Sequence, residues 1–282
     1  MTEFVLQHEL SIRLGFFFGV FFVMALWETL RPCRALSQSR ALRWANNLGL
    51  VAFNSFLLRL LFPAAAVGMA VLAMESGWGL FNQLSLPLWL TLPLAVVLLD
   101  MAIYLQHVMF HAVPLLWRLH RVHHADLDFD VTTGARFHPI EIILSMLIKF
   151  GMILVLGPPV VAVVIFEVLL NAVAMFNHGN VQLPPGLDRM VRLLVVTPDM
   201  HRVHHSIEAH ETNSNFGFNL SLWDRLFGTY RAQPGAGHQG MTIGIDSIRE
   251  PALCVWLPGL LRLPFVRRVG GYAINRRWGN KP

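Results

Sequence analysis

The chain alternates between long apolar segments and shorter segments that carry most of its arginines and histidines. The apolar segments cover residues 12–30, 48–74, 86–113, 140–156 and 160–176. A helix needs about 20 residues to cross a bilayer, so the first three segments predict membrane spans. The last two are shorter, and Gly157-Pro158-Pro159 separates them. Since Glu141 and Lys149 interrupt the fourth, these two segments predict a helical hairpin that either crosses or re-enters the membrane.

Composition agrees with a membrane location, because 55% of the residues are hydrophobic and only 14% are charged. A soluble domain carries about 25% charged residues. We therefore predict an all-α integral membrane protein of four to five transmembrane or re-entrant helices, with a cytoplasmic helical cap. The expected organisation is one domain over residues 1–282. Its expected parts are three spans within 12–113, a hairpin over 140–176, a histidine-bearing cap over 107–138 and 178–230, and a C-terminal tail over 231–282. Within that tail, the apolar residues 251–266 are expected to lie flat on the membrane surface.

The arginines predict the orientation. The loop between the first two spans carries a group of them, whereas the loop over residues 75–85 carries no Lys or Arg. By the positive-inside rule the first loop is cytoplasmic, and every histidine cluster then falls on that face. The net charge of +5 does not point to nucleic acid, because no binding motif accompanies it. The two cysteines, Cys33 and Cys254, are isolated, which excludes a disulfide framework and a cysteine-ligated cluster.

Nine of the 13 histidines fall in four clusters at the ends of apolar segments. His107 and His111 are spaced i,i+4 and share one helix face. The sequence HRVHH occurs at 120–124 and again at 201–205. Its first two histidines are spaced i,i+3 on one face and the third points about 100° away, so each triplet can give two ligands to one ion and one to another. Nine imidazoles exceed the roughly four to six ligands of one ion and suffice for two, although imidazole suits Fe, Zn, Cu and Ni alike.

Three stretches carry a family resemblance: HVMFH at 107–111, HRVHHAD with TTGARFHPIE over 120–141, and the run over 201–230. With them the chain resembles the fatty acid hydroxylase/sterol desaturase superfamily of membrane non-haem di-iron oxygenases, over about residues 100–230. The resemblance implies two irons near the cytoplasmic membrane face, with O2 as co-substrate for oxidising a lipid. It implies these ligands: His107, His111, His120, His123, His124, His201, His204 and His205.

The middle of the chain departs from the family pattern. His178 is followed four residues later by Gln182, where some relatives carry a second histidine. The resemblance still implies that His178 is a ligand, with Gln182 or water completing the shell of one ion. His138 and His210 are expected to orient ligands through hydrogen bonds, as partners of metal-bound imidazoles do. His8 and His238 are expected to be solvated.

Polar residues inside the apolar segments form two helical stripes. Asp100 and Tyr104 lead to His107, and Glu167 and Asn171 lead to His178. Ionisable groups within a membrane usually face a helix bundle and are often functional. We expect Asp100 and Glu167 to face one another's helices beneath the metal site. The four side chains there either orient ligands and line a proton path, or stabilise helix packing by hydrogen bonds. A further set in the C-terminal motif is interpreted as folding the cap: Asn213, Asn215, Trp223, Asp224 and Arg225.

Together these observations predict a membrane-bound oxidoreductase that uses two irons and O2 to hydroxylate or desaturate a lipid such as a sterol or fatty acyl chain. Electrons are expected from a separate donor, because the sequence contains neither a Gly-x-Gly-x-x-Gly fingerprint nor a cysteine cluster. Ether-lipid cleavage or another lipid oxidation on the same metals is the nearest alternative. A zinc-dependent hydrolase or a metal transporter is more distant, because transport sites lie near mid-bilayer depth.

Overall fold

The computed structural model describes residues 2–267, and the rest of the predicted C-terminal tail lies outside the described residues. Within that range the chain is helical and contains no strand, only isolated β-bridges, which confirms the all-α prediction. The first eight helices along the chain are α1 (Thr2–Leu30), α2 (Arg40–Leu61), α3 (Ala65–Glu75), α4 (Leu80–Gln83), α5 (Leu88–Ala112), α6 (Pro114–His124), α7 (Pro139–Leu156) and α8 (Val160–Asn177). Among them, α4 is a single turn.

Five helical segments are long and apolar enough to cross a membrane, as an integral membrane protein requires. These segments are Glu3–Leu30, Arg40–Gln83, Leu88–Ala112, Pro139–Leu156 and Val160–Asn177. At 1.5 Å per residue, the 18 residues of α7 and of α8 each extend about 27 Å, close to the hydrocarbon thickness of about 30 Å.

The second apolar segment, expected as one span over 48–74, lies within the candidate span Arg40–Gln83 and is a helix broken in two. Helix α2 ends at Leu61 and α3 begins at Ala65. Pro63 lies between them. Proline has no backbone N–H to donate and its φ is fixed near −65°, so it interrupts the helix. Ala65 itself has a φ of +49°, so the chain changes direction at this point.

The predicted hairpin of α7 and α8 is present, and it depends on a glycine. Gly157 ends α7 in the left-handed conformation, with φ +59°. A side chain at this position would place its Cβ 2.4 Å from the carbonyl oxygen of Trp78. The two prolines that follow precede α8, and Pro159 is its N-cap.

The arginine-rich loop lies at the end of the helices where α8 finishes. The backbone N–H of Cys33 donates to the carbonyl of Asn180 at 2.8 Å, and that of Arg34 donates to the Asn180 side chain at 3.0 Å. Arg43, one of the arginines between the first two apolar segments, belongs to α2, where it is buried and paired with Asp126 at 2.7 Å. Burial alone would raise the pKa of Asp126, but Arg43 and Arg136 outweigh it and hold that pKa at about 2.

Short helices follow α8 along the chain. They are α9 (Pro185–Val191), α10 (Pro198–His204), α11 (Ala209–Thr212), α12 (Leu222–Leu226), α13 (Gly237–Gly240), α14 (Pro251–Cys254) and α15 (Leu257–Arg262). The segment expected to lie flat on the membrane, 251–266, packs inward through Cys254, Leu260 and Leu263 against the buried Trp117. Only part of it, including Trp256 and Phe265, is exposed.

Candidate metal centre

Four separate elements bring nine histidines together at one end of the helices. His107 and His111 lie on α5, the 120–124 triplet ends α6, His178 caps α8, and the 201–205 triplet belongs to α10 and its cap. None of the nine exposes more than 3% of its surface. Within each of two groups, all potential ligand atoms lie within 4.8 Å of one another. The first group is His107, His111, His120, His124 and His204, and the second is His123, His178, His201 and His205.

The two HRVHH triplets divide between these groups in opposite proportions. His120 and His124 join the first group, and His123 joins the second. In the other triplet, the i,i+4 pair joins the second group and the middle histidine joins the first. The expected i,i+3 pairing is therefore wrong. Residues spaced i,i+4 differ by about 40° around a helix, whereas those spaced i,i+3 differ by about 60°. Each triplet does give two side chains to one group and one to the other.

Two histidines of the first group direct lone pairs at each other. His107 Nδ1 lies 2.8 Å from the carbonyl of Phe216, and His204 Nδ1 lies 2.7 Å from the carbonyl of Ser214. A carbonyl only accepts, so both Nδ1 atoms carry the hydrogen and both Nε2 atoms are bare. The two Nε2 atoms are 3.0 Å apart. Two nitrogens bound to one ion at about 2.1 Å and a right angle are roughly 3.0 Å apart. The donor set therefore fits a metal cation.

The second group has the same character. His178 donates through Nδ1 to the carbonyl of Ala174 at 2.7 Å, which leaves its Nε2 bare. That atom lies 3.2 Å from Nε2 of His123 and 3.0 Å from Nε2 of His201. Both ring nitrogens of His205 are buried and have no hydrogen-bond partner. Because an unpaired buried polar atom is costly, these nitrogens also fit a cation.

Burial keeps the histidines outside the membrane helices neutral. It lowers the pKa of His120 and that of His178 to about 3 each. Burial also moves the pKa of His123, His201 and His205 well below the usual value. Neutral imidazole is the form that binds metals, so the clusters are in their ligating state at neutral pH.

Two positioning residues escaped the sequence reasoning. Glu141 Oε1 lies 2.6 Å from His120 Nδ1, and Asn213 Oδ1 lies 3.3 Å from His111 Nδ1. In the sequence, Glu141 interrupts an apolar segment and Asn213 belongs to the C-terminal motif, and neither pattern by itself indicates a partner of a ligand. The available signal was the ionisable side chain in the first turn of a membrane helix, directly after a histidine motif.

The residues expected beneath the metal site have other partners. Asp100 accepts from the indole of Trp223 at 2.8 Å and from the backbone of Leu220 at 3.2 Å. Tyr104 lies 2.9 Å from the hydroxyl of Thr229. Both side chains hold the segment after α11 against α5. Their role is therefore to stabilise packing, the second of the two roles expected from the sequence.

The stripe on α8 also stabilises packing. Glu167 pairs with Lys149 on α7 at 2.7 Å and with Arg13 on α1 at 3.2 Å. Asn171 donates to the carbonyl of Glu167 at 2.8 Å. The expected facing of Asp100 and Glu167 is therefore not seen, because each binds a different set of neighbours.

The remaining histidines and Gln182 lie apart from both groups. His138 caps α7 by accepting from the N–H of Ile140 at 3.2 Å, and His210 is largely exposed. Gln182 is exposed and donates to Asp199 at 3.3 Å, whereas the candidate ligands are buried. The expectation that His238 is solvated is wrong, because it is buried 3.7 Å from Asp199.

A cavity of about 300 Å³ reaches the first histidine group from within the helix bundle. His107, His120 and Glu141 line it near the cluster, and Lys149 and Glu167 line it deeper in the bundle. Eight residues of α7 separate Glu141 from Lys149, so the cavity extends about 12 Å along that helix. Its other walls include apolar side chains of α2, α5 and α8, such as Leu58, Ile103, Phe110 and Leu170.

The fold and these clusters define a helical membrane protein with a pair of buried histidine groups able to hold metal. The family model for fatty acid hydroxylase matches residues 92–229, a range that contains all nine histidines. This match and the curated relatives confirm the predicted resemblance to the fatty acid hydroxylase/sterol desaturase superfamily.

Curated relatives agree with this assignment. The chain is 31% identical over 149 residues to "Ornithine lipid hydroxylase OlsE" of Rhizobium tropici, covering 52% of this chain and 44% of the relative. It is 27% identical over 216 residues to "Alkylglycerol monooxygenase" of Xenopus tropicalis, with 73% and 45% covered. It is 28% identical over 200 residues to "Very-long-chain aldehyde decarbonylase GL1-1" of Oryza sativa subsp. indica, with 65% and 32% covered. The chain thus spans less than half the length of these relatives. No solved structure shows significant similarity.

Proposed function

We propose that the protein is a membrane-bound, O2-dependent di-iron oxidoreductase that hydroxylates a lipid. The observation that carries this proposal is the meeting of the bare Nε2 atoms of His107 and His204, 3.0 Å apart, at the end of a cavity that opens within membrane helices. A cation there would relieve the repulsion of the two lone pairs, and the cavity would bring a lipid to the same point.

The nine histidines would hold the metals, five in the first group and four in the second. Two irons, once bound, supply the activation of O2. The protein's own residues orient the ligands: the Phe216 and Ser214 carbonyls fix the tautomers of His107 and His204, and Glu141 fixes His120. Such partners of metal-bound imidazoles set ring orientation and basicity.

The cavity would bind the substrate and exclude water from its reacting carbon. Apolar side chains such as Ile103 and Phe110 suit an acyl or alkyl chain. Near the cluster, Asn54 Oδ1 and Glu141 Oε2 are buried acceptors without partners, which suits a lipid with a hydroxyl or amine near the oxidised carbon. Relatives that carry the names ornithine lipid hydroxylase and alkylglycerol monooxygenase support hydroxylation first. Desaturation or ether cleavage would follow from a different placement of the C–H bond.

Electrons would come from a donor outside these 282 residues, since the sequence has no dinucleotide fingerprint or cysteine cluster. The arginine-bearing loop lies at the same end as the histidines, and the positive-inside rule makes that end cytoplasmic. We therefore propose that a reductase or small electron carrier docks there.

Metal analysis tests this function. After anaerobic ferrous loading of detergent-purified protein, we expect about two irons per chain. His204→Ala removes a member of the first group and His123→Ala a member of the second, so each should lose about one iron. His210→Ala, an exposed histidine outside both groups, is the matched control and should keep both.

Lipid screening then tests the reaction. The iron-loaded protein with a chemical or enzymatic reductant should add one oxygen atom to a lipid, only when O2 is present. Tightly held zinc, no iron binding and no O2 uptake would favour the zinc hydrolase instead.

A further inference from the structure

Two short segments outside the five candidate spans carry a group of large, exposed apolar side chains. Six large apolar side chains on α9, on the residues after it and at the end of α12 are between 46% and 70% exposed. This α9–α12 surface consists of Leu187, Met190, Leu193, Leu194, Leu226 and Phe227. A group of exposed apolar side chains of this size indicates a surface that contacts either another protein or a membrane.

Hydrogen bonds join the two segments into one unit. The N–H of Val196 donates to the carbonyl of Asn219 at 2.9 Å, and the N–H of Ser221 donates to that of Leu194 at 3.0 Å. The guanidinium of Arg225 donates to the carbonyl of Arg192 at 3.1 Å. The surface is therefore held as a fixed shape.

Its attachment to α5 places it at membrane depth. Asp100, which accepts from Trp223 at 2.8 Å, is twelve residues from each end of α5. At 1.5 Å per residue it lies about 18 Å from either end, near the middle of the span. Phe227 stacks on Tyr104 of the same helix, with ring centroids 5.3 Å apart. A segment clamped at mid-span cannot lie wholly in the water above the membrane.

We propose that the α9–α12 surface is inserted into the hydrocarbon of the bilayer. The segment predicted as part of a cytoplasmic cap would then be a membrane-embedded wedge beside α5. The exposed Arg189 lies on α9, and its long stem lets the charged end reach the lipid headgroups. The chain from α11 to α12 also supplies the carbonyls of Ser214 and Phe216, so the lipid-facing wedge is continuous with the ligand-orienting backbone.

Site-directed spin labelling tests the insertion without reference to turnover. In a background with Cys33→Ser and Cys254→Ser, Leu194→Cys and Leu226→Cys would each carry a nitroxide. The full chain would be reconstituted at one copy per phosphatidylcholine/phosphatidylglycerol nanodisc. Power saturation then compares collisions with O2, which concentrates in lipid, and with a water-soluble nickel chelate. Leu105→Cys, exposed on α5, is the lipid-facing control, and Ser247→Cys, in an exposed polar loop, is the aqueous control.

We expect labels at 194 and 226 to behave as the label at 105, with at least a several-fold higher ratio of O2 to nickel accessibility than the label at 247. Nickel accessibility equal to that at 247 would overturn the proposal. Low accessibility to both reagents would also overturn it, because another part of the protein would then cover the surface. Unchanged thermal unfolding of each labelled protein shows that the label has not disturbed the fold.

Discussion

Glu141 Oε1 lies 2.6 Å from His120 Nδ1, although the carboxylate begins the membrane helix α7 and the imidazole lies near the end of α6. The other carboxylate oxygen, Oε2, is buried without a partner, and the residue lines the cavity. One side chain therefore contacts both a candidate ligand and the space proposed for the substrate.

Glu141→Gln keeps the size and an acceptor oxygen but replaces the carboxyl group that orients the His120 ring. We expect affinity for the iron of the first group to fall about 10- to 100-fold, as for other partners of metal-bound histidines. Titration with a ferrous chelator would show one weakened iron out of two. Glu208→Gln, an exposed carboxylate of the same end, is the control, and equal chelator sensitivity in both variants would contradict the role.

The metal-free protein should lose stability as the pH falls below about 6.5, the ordinary pKa of histidine. Burial lowers the folded-state pKa of His120 and of His178 to about 3. Between pH 6.5 and 3, the unfolded chain therefore binds protons at these histidines that the folded chain does not bind. Their stabilising contribution is full above 6.5 and is lost as the pH drops toward 3, by roughly 2 kcal/mol each at pH 5. Thermal unfolding at pH 7.5 and 5 measures it.

Asp126 does not affect this comparison between pH 7.5 and 5. Its pKa in the folded protein is about 2, so its contribution to the free energy of unfolding is lost only below about pH 4. A melting temperature of the metal-free protein that is equal at pH 7.5 and 5 would show that the clusters are not buried and neutral.

Asp100→Asn should lower stability and spare the metals. The carboxylate accepts from Trp223, Leu220 and Asn219, and a hydrogen bond to a charged group contributes about 1.5–3 kcal/mol. We expect a lower melting temperature with about two irons per folded chain. Loss of iron at unchanged stability would restore the idea that Asp100 serves the metal site. Asp246→Asn, exposed in a loop, controls for loss of charge.

Met146→Trp should fill the cavity, whereas Leu147→Trp, its neighbour on α7, should not. Met146 lines the cavity, and Leu147 is exposed on the outside of the helix. Lipid oxidation should fall at least ten-fold in the first variant, with iron content unchanged, and stay near the parent level in the second. Equal activity in both would place the substrate elsewhere.

The sequence by itself determined the helical membrane class and the nine-histidine set. Both depend on local pattern: apolar length indicates which segments can cross a bilayer, and the histidines clustered at the ends of those segments indicate the candidate ligands. The position of the hairpin followed from Gly157 and the two prolines, because their backbone limits are local as well.

Only the tertiary structure decided how those histidines are divided and what holds them. The i,i+3 and i,i+4 pairs of HRVHH are nearly equivalent on an isolated helix, and the choice depends on where α5, α8 and α10 direct their own imidazoles. The partners Glu141 and Asn213, the burial of Arg43, and the clamp from Asp100 to Trp223 join residues far apart in the chain. Spacing carries no information on such contacts, because packing between helices sets them.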